Sequence, residues 1–319
     1  MCYSAMVQHD LKALGRQFTA RMDQAQFETL FQRRATDDTI NIPKALEANF
    51  YHPKTPAEKR INDAIAVYHA RMTTEWEAAL FAQKQRLTTA ERALKVKETK
   101  KAQEDQRIAT NKINWYKKKI ADLKRTDLKA ADSRIFPFTY APVIIMENNK
   151  YVIRPMRYHC RPQGKPAWYD KKYDGLYNAR RDNLEGFWKN LFGHHHACIV
   201  ISSFYENVAL SDFEKRALKP GEKDKNVVLH FNPQPATEMI LACLWDHWHE
   251  LSQPDLDSFT AITDEPPPEV AATGHNRCVI PLKQNNLPTW LNPDGYDKAE
   301  LYRVLEDRER PYYAHELAA

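Results

Sequence analysis

The chain has 319 residues, 43% of them hydrophobic, which suffices for one large domain or two ordinary ones and argues against a disordered chain. Its 47 Lys and Arg against 42 Asp and Glu leave a formal charge of +5, compatible with a polyanionic partner without requiring one. Five cysteines with no CxxC pair do not make a disulfide framework, and no apolar run approaches bilayer length, so a cytoplasmic protein with no membrane contact is expected.

In chain order, the first informative residue is Cys2. Once Met1 is removed, Cys2 carries an α-amine and a thiol together, a pair suited to capturing an aldehyde. The amine condenses to an imine and the thiol closes on the imine carbon, giving a thiazolidine. At pH 7 a terminal amine is neutral roughly a few hundred times more often than a lysine. Position alone does not separate such a nucleophile from an incidental cysteine.

From Ala57 to Phe136 there is neither glycine nor proline. Ile61, Ile65, Tyr68, Met72, Trp76 and Leu80 recur every three or four residues, continuing at Leu87 and Leu94, which predicts a long amphipathic helix entered at Pro53 and Pro56. Ile113, Tyr116, Ile120 and Leu123 define a second helical face. The pattern predicts a helical hairpin over residues 53–130, turning near Thr88 or Thr110, inserted into a discontinuous domain of residues 1–52 and 131–319.

Beyond it the signals are those of strands. Phe138 to Met146 and Tyr151 to Tyr158 flank Glu147-Asn148-Asn149-Lys150, whose asparagines tolerate φ > 0 in a hairpin turn. His196 to Phe204, Val227 to Phe231 and Cys278 to Leu282 are further apolar runs, while Met239 to Glu250 reads as a short buried helix. The predicted class is α+β, a mixed core of short, mostly antiparallel strands with flanking helices and the inserted hairpin. No metal site is expected: His194, His195 and His196 alternate faces in a strand, and Cys243, His247 and His249, the first two paired at i, i+4 on the predicted helix, lack a fourth ligand. Nor is a cofactor expected, since a phosphate-binding glycine loop is absent.

Four segments occur in order: Met1-Cys2, Asn178-Ala179-Arg180, Ser203-Phe204-Tyr205-Glu206 and Gly274-His275-Asn276-Arg277. Leu241 to Asp246 and Ser258 to Thr263 fall before the last of these, and Val279 to Leu282 and Trp290 to Pro293 after it. Together they resemble the SOS-response-associated peptidase (SRAP) family, over about residues 1–50 and 135–300. The resemblance implies a DNA-damage protein that links Cys2 covalently to the aldehyde of an abasic site in single-stranded DNA. It also implies loss of Met1, by autopeptidase action or a host aminopeptidase, and a lyase activity in the same site. In this correspondence Glu206 is the acid/base carboxylate, His275 assists imine chemistry, and Asn178 hydrogen-bonds the sugar or the terminal residue. Arg180 and Arg277 hold phosphates and Tyr158 stacks on a base.

The chain departs from the family at Tyr3 and Ser4, where glycine and arginine are usual, and at Tyr158-His159-Cys160 in place of tryptophan-glycine-leucine. Asn207 stands where a tryptophan usually follows the glutamate. A second reading stays open, in which a decayed core carries the hairpin to nucleic acid or a protein partner through Lys95, Lys97, Lys100, Lys101, Lys117, Lys118, Lys119, Lys124 and Arg125. The joint presence of Cys2, Asn178, Glu206 and His275 favours the first.

Overall fold

The computed structural model describes residues 3–318. These fall into two compact units, one within residues 1–27, 40–49 and 129–319 and the other made of residues 28–39 and 50–128.

The first unit is built on one sheet. Its strands are β1 (Ser4–Val7), β2 (Arg21–Met22), β3 (Arg134–Ile135), β4 (Tyr140–Glu147), β5 (Lys150–Tyr158), β6 (Asn178–Arg180), β7 (His196–Ala209), β8 (Asn226–Gln234), β9 (Met239–Trp248), β10 (Leu256–Asp264), β11 (Cys278–Val279), β12 (Pro281–Leu282) and β13 (Tyr312–Leu317). Most pairings are antiparallel; β2 runs parallel to β5, and β10 parallel to β5 and β6. With its helices this is the α+β class expected. Pairing of β7 with β9 closes the path β9-β10-β5-β4-β7 into a ring. Every second residue then faces one enclosed core: Ala141, Val143 and Ile145 on β4, Val152 and Met156 on β5, Ala197, Ile199 and Ile201 on β7. The β4–β5 turn takes positive φ at both asparagines, +50° at Asn148 and +59° at Asn149, the geometry that matches strand twist.

The 14-residue β7 outlasts this ring. Its first half, through Ile201, pairs with β9; Ile201 to Tyr205 pair with β1, and Phe204 to Ala209 with β8. That continuation carries Glu206.

Three helices precede the hairpin in sequence among the described residues: α1 (Leu11–Phe18), α2 (Gln24–Arg34) and α3 (Lys44–Glu47). The hairpin itself is α4 (Pro56–Val96) and α5 (Lys100–Lys124). Thr55 and Glu58 form a capping box that starts α4 with Pro56 at its first position, satisfying two orphan amides at once. Ala90, Ala102 and Ala109 are buried in the hairpin, small side chains that permit close helix approach, together with the larger Ile113. The turn is at residues 97–99, not at Thr88 or Thr110. The Thr88 and Thr89 hydroxyls donate to the carbonyls of Lys84 and Gln85 at 3.0 Å each, so the helix satisfies these residues internally and continues.

Residues 239–248 also differ from expectation, forming strand β9 and not a helix. β9 is flanked by β7 and β10 and is apolar on both faces, a pattern that periodicity does not distinguish from a buried helix. Cys243 and His247 therefore do not share a helix face. His247 Nδ1 lies 2.6 Å from Asp257 and His249 Nδ1 2.5 Å from Asp255, acceptors enough to hold both rings. Among the described residues no helix is long and apolar enough to cross a membrane.

Candidate active site

Glu206 is the centre of the site. β1 pairs with β7 so that Ser4 faces Tyr205, which brings the start of β1 beside the next residue of β7. The Glu206 side chain is 2% exposed, and its Oε2 accepts the backbone N–H of Tyr3 at 3.3 Å. The same oxygen lies 3.3 Å from His275 Nε2, off the line of a hydrogen bond. Oε1 has no hydrogen-bond partner among the described residues. An unpaired buried polar atom costs about 1–3 kcal/mol, so these atoms are stabilised by any polar group that enters.

His275 is aimed by its neighbour. Gly274 adopts φ +89°, and a Cβ there would stand 2.5 Å from Cβ of Asp212. Only glycine lets the loop seat this closely.

Asn178 and Arg180 lie two apart on β6, so their side chains leave one face while Ala179 between them is buried on the other. The Asn178 Oδ1 accepts the Thr263 hydroxyl at 2.6 Å, which leaves the amide NH2 to donate. Arg180 pairs with exposed Asp182 at 3.2 Å, a surface contact weak enough to exchange for a phosphate. Arg277 keeps a buried Nε without a hydrogen-bond partner among the described residues. Between these groups stands Tyr177, whose phenol is pushed up by burial; Arg277 opposes that shift while Glu206 and Tyr3 add to it. Tyr177 was not singled out in the sequence, although its position directly before Asn178 is a usable signal.

Tyr158 presents no stacking surface. It is 3% exposed and its ring packs 5.2 Å from Phe259 and 6.0 Å from Tyr177. The aromatic rings that do face outward near β1 are Tyr3, Phe136 and Phe138, each about two-fifths exposed. Tyr3 meets Phe136 edge-on at 5.7 Å, and the Arg134 guanidinium covers Phe136 at 4.9 Å and Tyr205 at 3.5 Å while donating to Ser4 Oγ. His159 takes φ +99°, in the left-handed region that favours glycine, and stacks on Phe138 at 4.4 Å. Burial holds its imidazole down to about 4, with Arg157 acting in the same direction.

Cys2 lies outside the described residues. Cys160, Cys198, Cys243 and Cys278 are buried, and burial pushes each thiol upward; Glu206 adds to this at Cys278. None of the four is a ready nucleophile.

A mixed sheet that holds its first strand against a buried glutamate beside a histidine, with arginines nearby, makes this the candidate active site. Residues 86–318 match the family described as SOS response associated peptidase (SRAP), and the chain belongs to that family. Its role is accordingly in DNA-damage-associated abasic-site processing in the general sense. The matched stretch contains Asn178, Glu206 and His275; Cys2 lies upstream of it. Among solved structures, the chain is similar to a protein from Bacteroides thetaiotaomicron at 14% identity and TM-score 0.46, covering 58% of this chain and 77% of that one. It is also similar to a protein from Bordetella bronchiseptica at 16% identity and TM-score 0.45, with 59% and 87% covered. A phage-related protein from the same organism shares 14% identity at TM-score 0.44, with 58% and 80% covered. No curated protein matches the chain.

Proposed function

We propose that this protein caps abasic sites in single-stranded DNA through a thiazolidine at Cys2. The observation that carries the reading is the convergence on Glu206 Oε2 of the Tyr3 backbone N–H and of His275 Nε2, each at 3.3 Å. Tyr3 is the residue that follows Cys2 in sequence, and its backbone N–H meets the carboxylate that also lies beside His275, which supports the reading.

With Met1 hydrolysed away, the Cys2 amine adds to the open-chain sugar aldehyde. The resulting carbinolamine loses water to give the imine, a step that needs a proton delivered to the departing hydroxyl. The thiol sulfur then bonds to the imine carbon and its proton ends on nitrogen, so one water is lost overall. Glu206 and His275 are the groups that deliver and collect these protons, each such transfer being worth on the order of 10²–10⁴ in rate. Asn178 orients the sugar or the terminal residue through its free amide NH2, and Arg180 and Arg277 hold the flanking phosphates.

The test is a denaturing gel of the protein mixed with a single-stranded oligonucleotide carrying one abasic site. A denaturant-resistant band is expected, lost in Cys2→Ala and slowed in Glu206→Ala. Salt-sensitive binding without any covalent band sinks the reading. Intact mass supplies a control, because a species that retains Met1 has its amine locked in a peptide bond and cannot close the ring.

A further inference from the structure

We infer that the helical unit carries a second nucleic-acid site, which binds single strands by stacking and charge and requires no lesion. The unit of residues 28–39 and 50–128 contains 20 Lys and Arg against 13 Asp and Glu, a net +7, whereas the whole chain is +5. The rest of the protein therefore carries −2, and the basic character belongs to the hairpin.

That charge has a local arrangement. Lys112, Trp115, Lys118 and Lys119 are spaced by three or four residues and so share one face of α5. None of these three lysines has a carboxylate partner among the described residues, whereas Lys124 pairs with Glu77 at 3.6 Å. Trp115 is 49% exposed. Its ring meets Trp76 of α4 edge-on at 6.4 Å, and the Lys119 ammonium lies 5.4 Å from the first ring and 6.0 Å from the second.

Helix packing alone does not account for this cluster. Met72, Ala109 and Ile113 already fill the buried seam, while Trp115 keeps half its surface in water beside unpaired cations. A flat ring flanked by free ammonium groups matches a base with its phosphates. Base–aromatic stacking is worth about 1–3 kcal/mol per base, and each lysine that meets a phosphate releases counterions. An acidic protein surface would engage the lysines and leave the ring planes unused.

The experiment uses the full chain and a fluorescent, undamaged oligothymidylate of roughly 20 nucleotides, followed by anisotropy across a salt series. Trp115→Ala is expected to weaken binding roughly 5- to 150-fold, with Trp115→Phe recovering most of it. The triple variant Lys112→Ala, Lys118→Ala, Lys119→Ala is expected to flatten the slope of log affinity against log salt by about 2. Neither set touches the candidate active site, so crosslinking to a saturating abasic oligonucleotide stays at the wild-type level, which separates this inference from the thiazolidine reading. Wild-type affinity in both variants overturns the inference. So does loss in the lysine variant alone with Trp115→Ala unaffected, which reduces the face to generic charge, and so does an acidic peptide that binds as tightly as the oligonucleotide.

Discussion

Gly274→Ala tests whether the placement of His275 limits the chemistry. The backbone there is at φ +89°, where a side chain costs about 1–2 kcal/mol. The added Cβ would also stand 2.5 Å from Asp212 Cβ, against an ordinary carbon contact of about 3.5–4.0 Å. Both carbons are Cβ atoms bonded directly to their Cα and cannot rotate away, so the loop has to retreat by about 1 Å and takes His275 with it. Misplacing a reacting group by that distance costs about 100-fold in rate. The expected result is adduct formation slowed roughly 100-fold, with the melting temperature lowered by roughly 2–8 °C for a unit of more than about 200 residues. The assay is the time course of the covalent band, read beside thermal unfolding. Adding Asp212→Gly removes the clash but not the φ strain, so the rate should recover while the stability does not. A single variant that reacts at the wild-type rate, or a double variant no faster than the single, refutes this account of the loop.

Acid should destabilise the fold well above the carboxylate range. His196 is fully buried as a neutral ring: Nε2 accepts the Gly193 N–H and Nδ1–H donates to the Trp290 carbonyl, both at 2.9 Å. Burial holds His196 down to about 3 and His9 down to about 4, so the unfolded chain binds protons first and stability falls as pH drops below about 6.5. The loss is about 2 kcal/mol per histidine at pH 5, measurable as a shift in urea midpoint between pH 7 and pH 5; an unchanged midpoint contradicts it. Asp170, 1% exposed, bridges Arg157 at 2.6 Å and Arg161 at 2.7 Å. Asp170→Ala leaves two cations without their counter-charge and should cost about 3–5 kcal/mol in denaturant unfolding, whereas a loss under 1 kcal/mol shows that water replaces the carboxylate. Thr55→Ala removes the α4 cap and should lower stability by about 1 kcal/mol, seen in the same titration; Thr55→Ser should restore it.

Features encoded within a few residues were legible in the sequence. The long helix was read from the spacing of Ile61 to Leu80, and the β4–β5 hairpin from two asparagines that take positive φ in the turn. The hairpin turn was misplaced because Thr88 looks like a break in isolation, while in the helix its hydroxyl is satisfied by Lys84. β9 was misread because a strand between two others is apolar on both faces and so loses its period of two.

The sequence by itself determined which chemical groups are available. Tertiary structure alone decided which of them meet. That Glu206 faces the start of β1 follows from the register of Ser4 against Tyr205, a pairing between distant segments that no local pattern specifies. Tyr158 has the right side chain for stacking but lies under Phe259 and Tyr177, since its strand is one wall of the closed ring. The net charge of +5 likewise concealed an uneven partition, +7 on the helical unit and −2 on the rest. Residue chemistry is local, whereas register, burial and the division into units depend on backbone pairings across the chain.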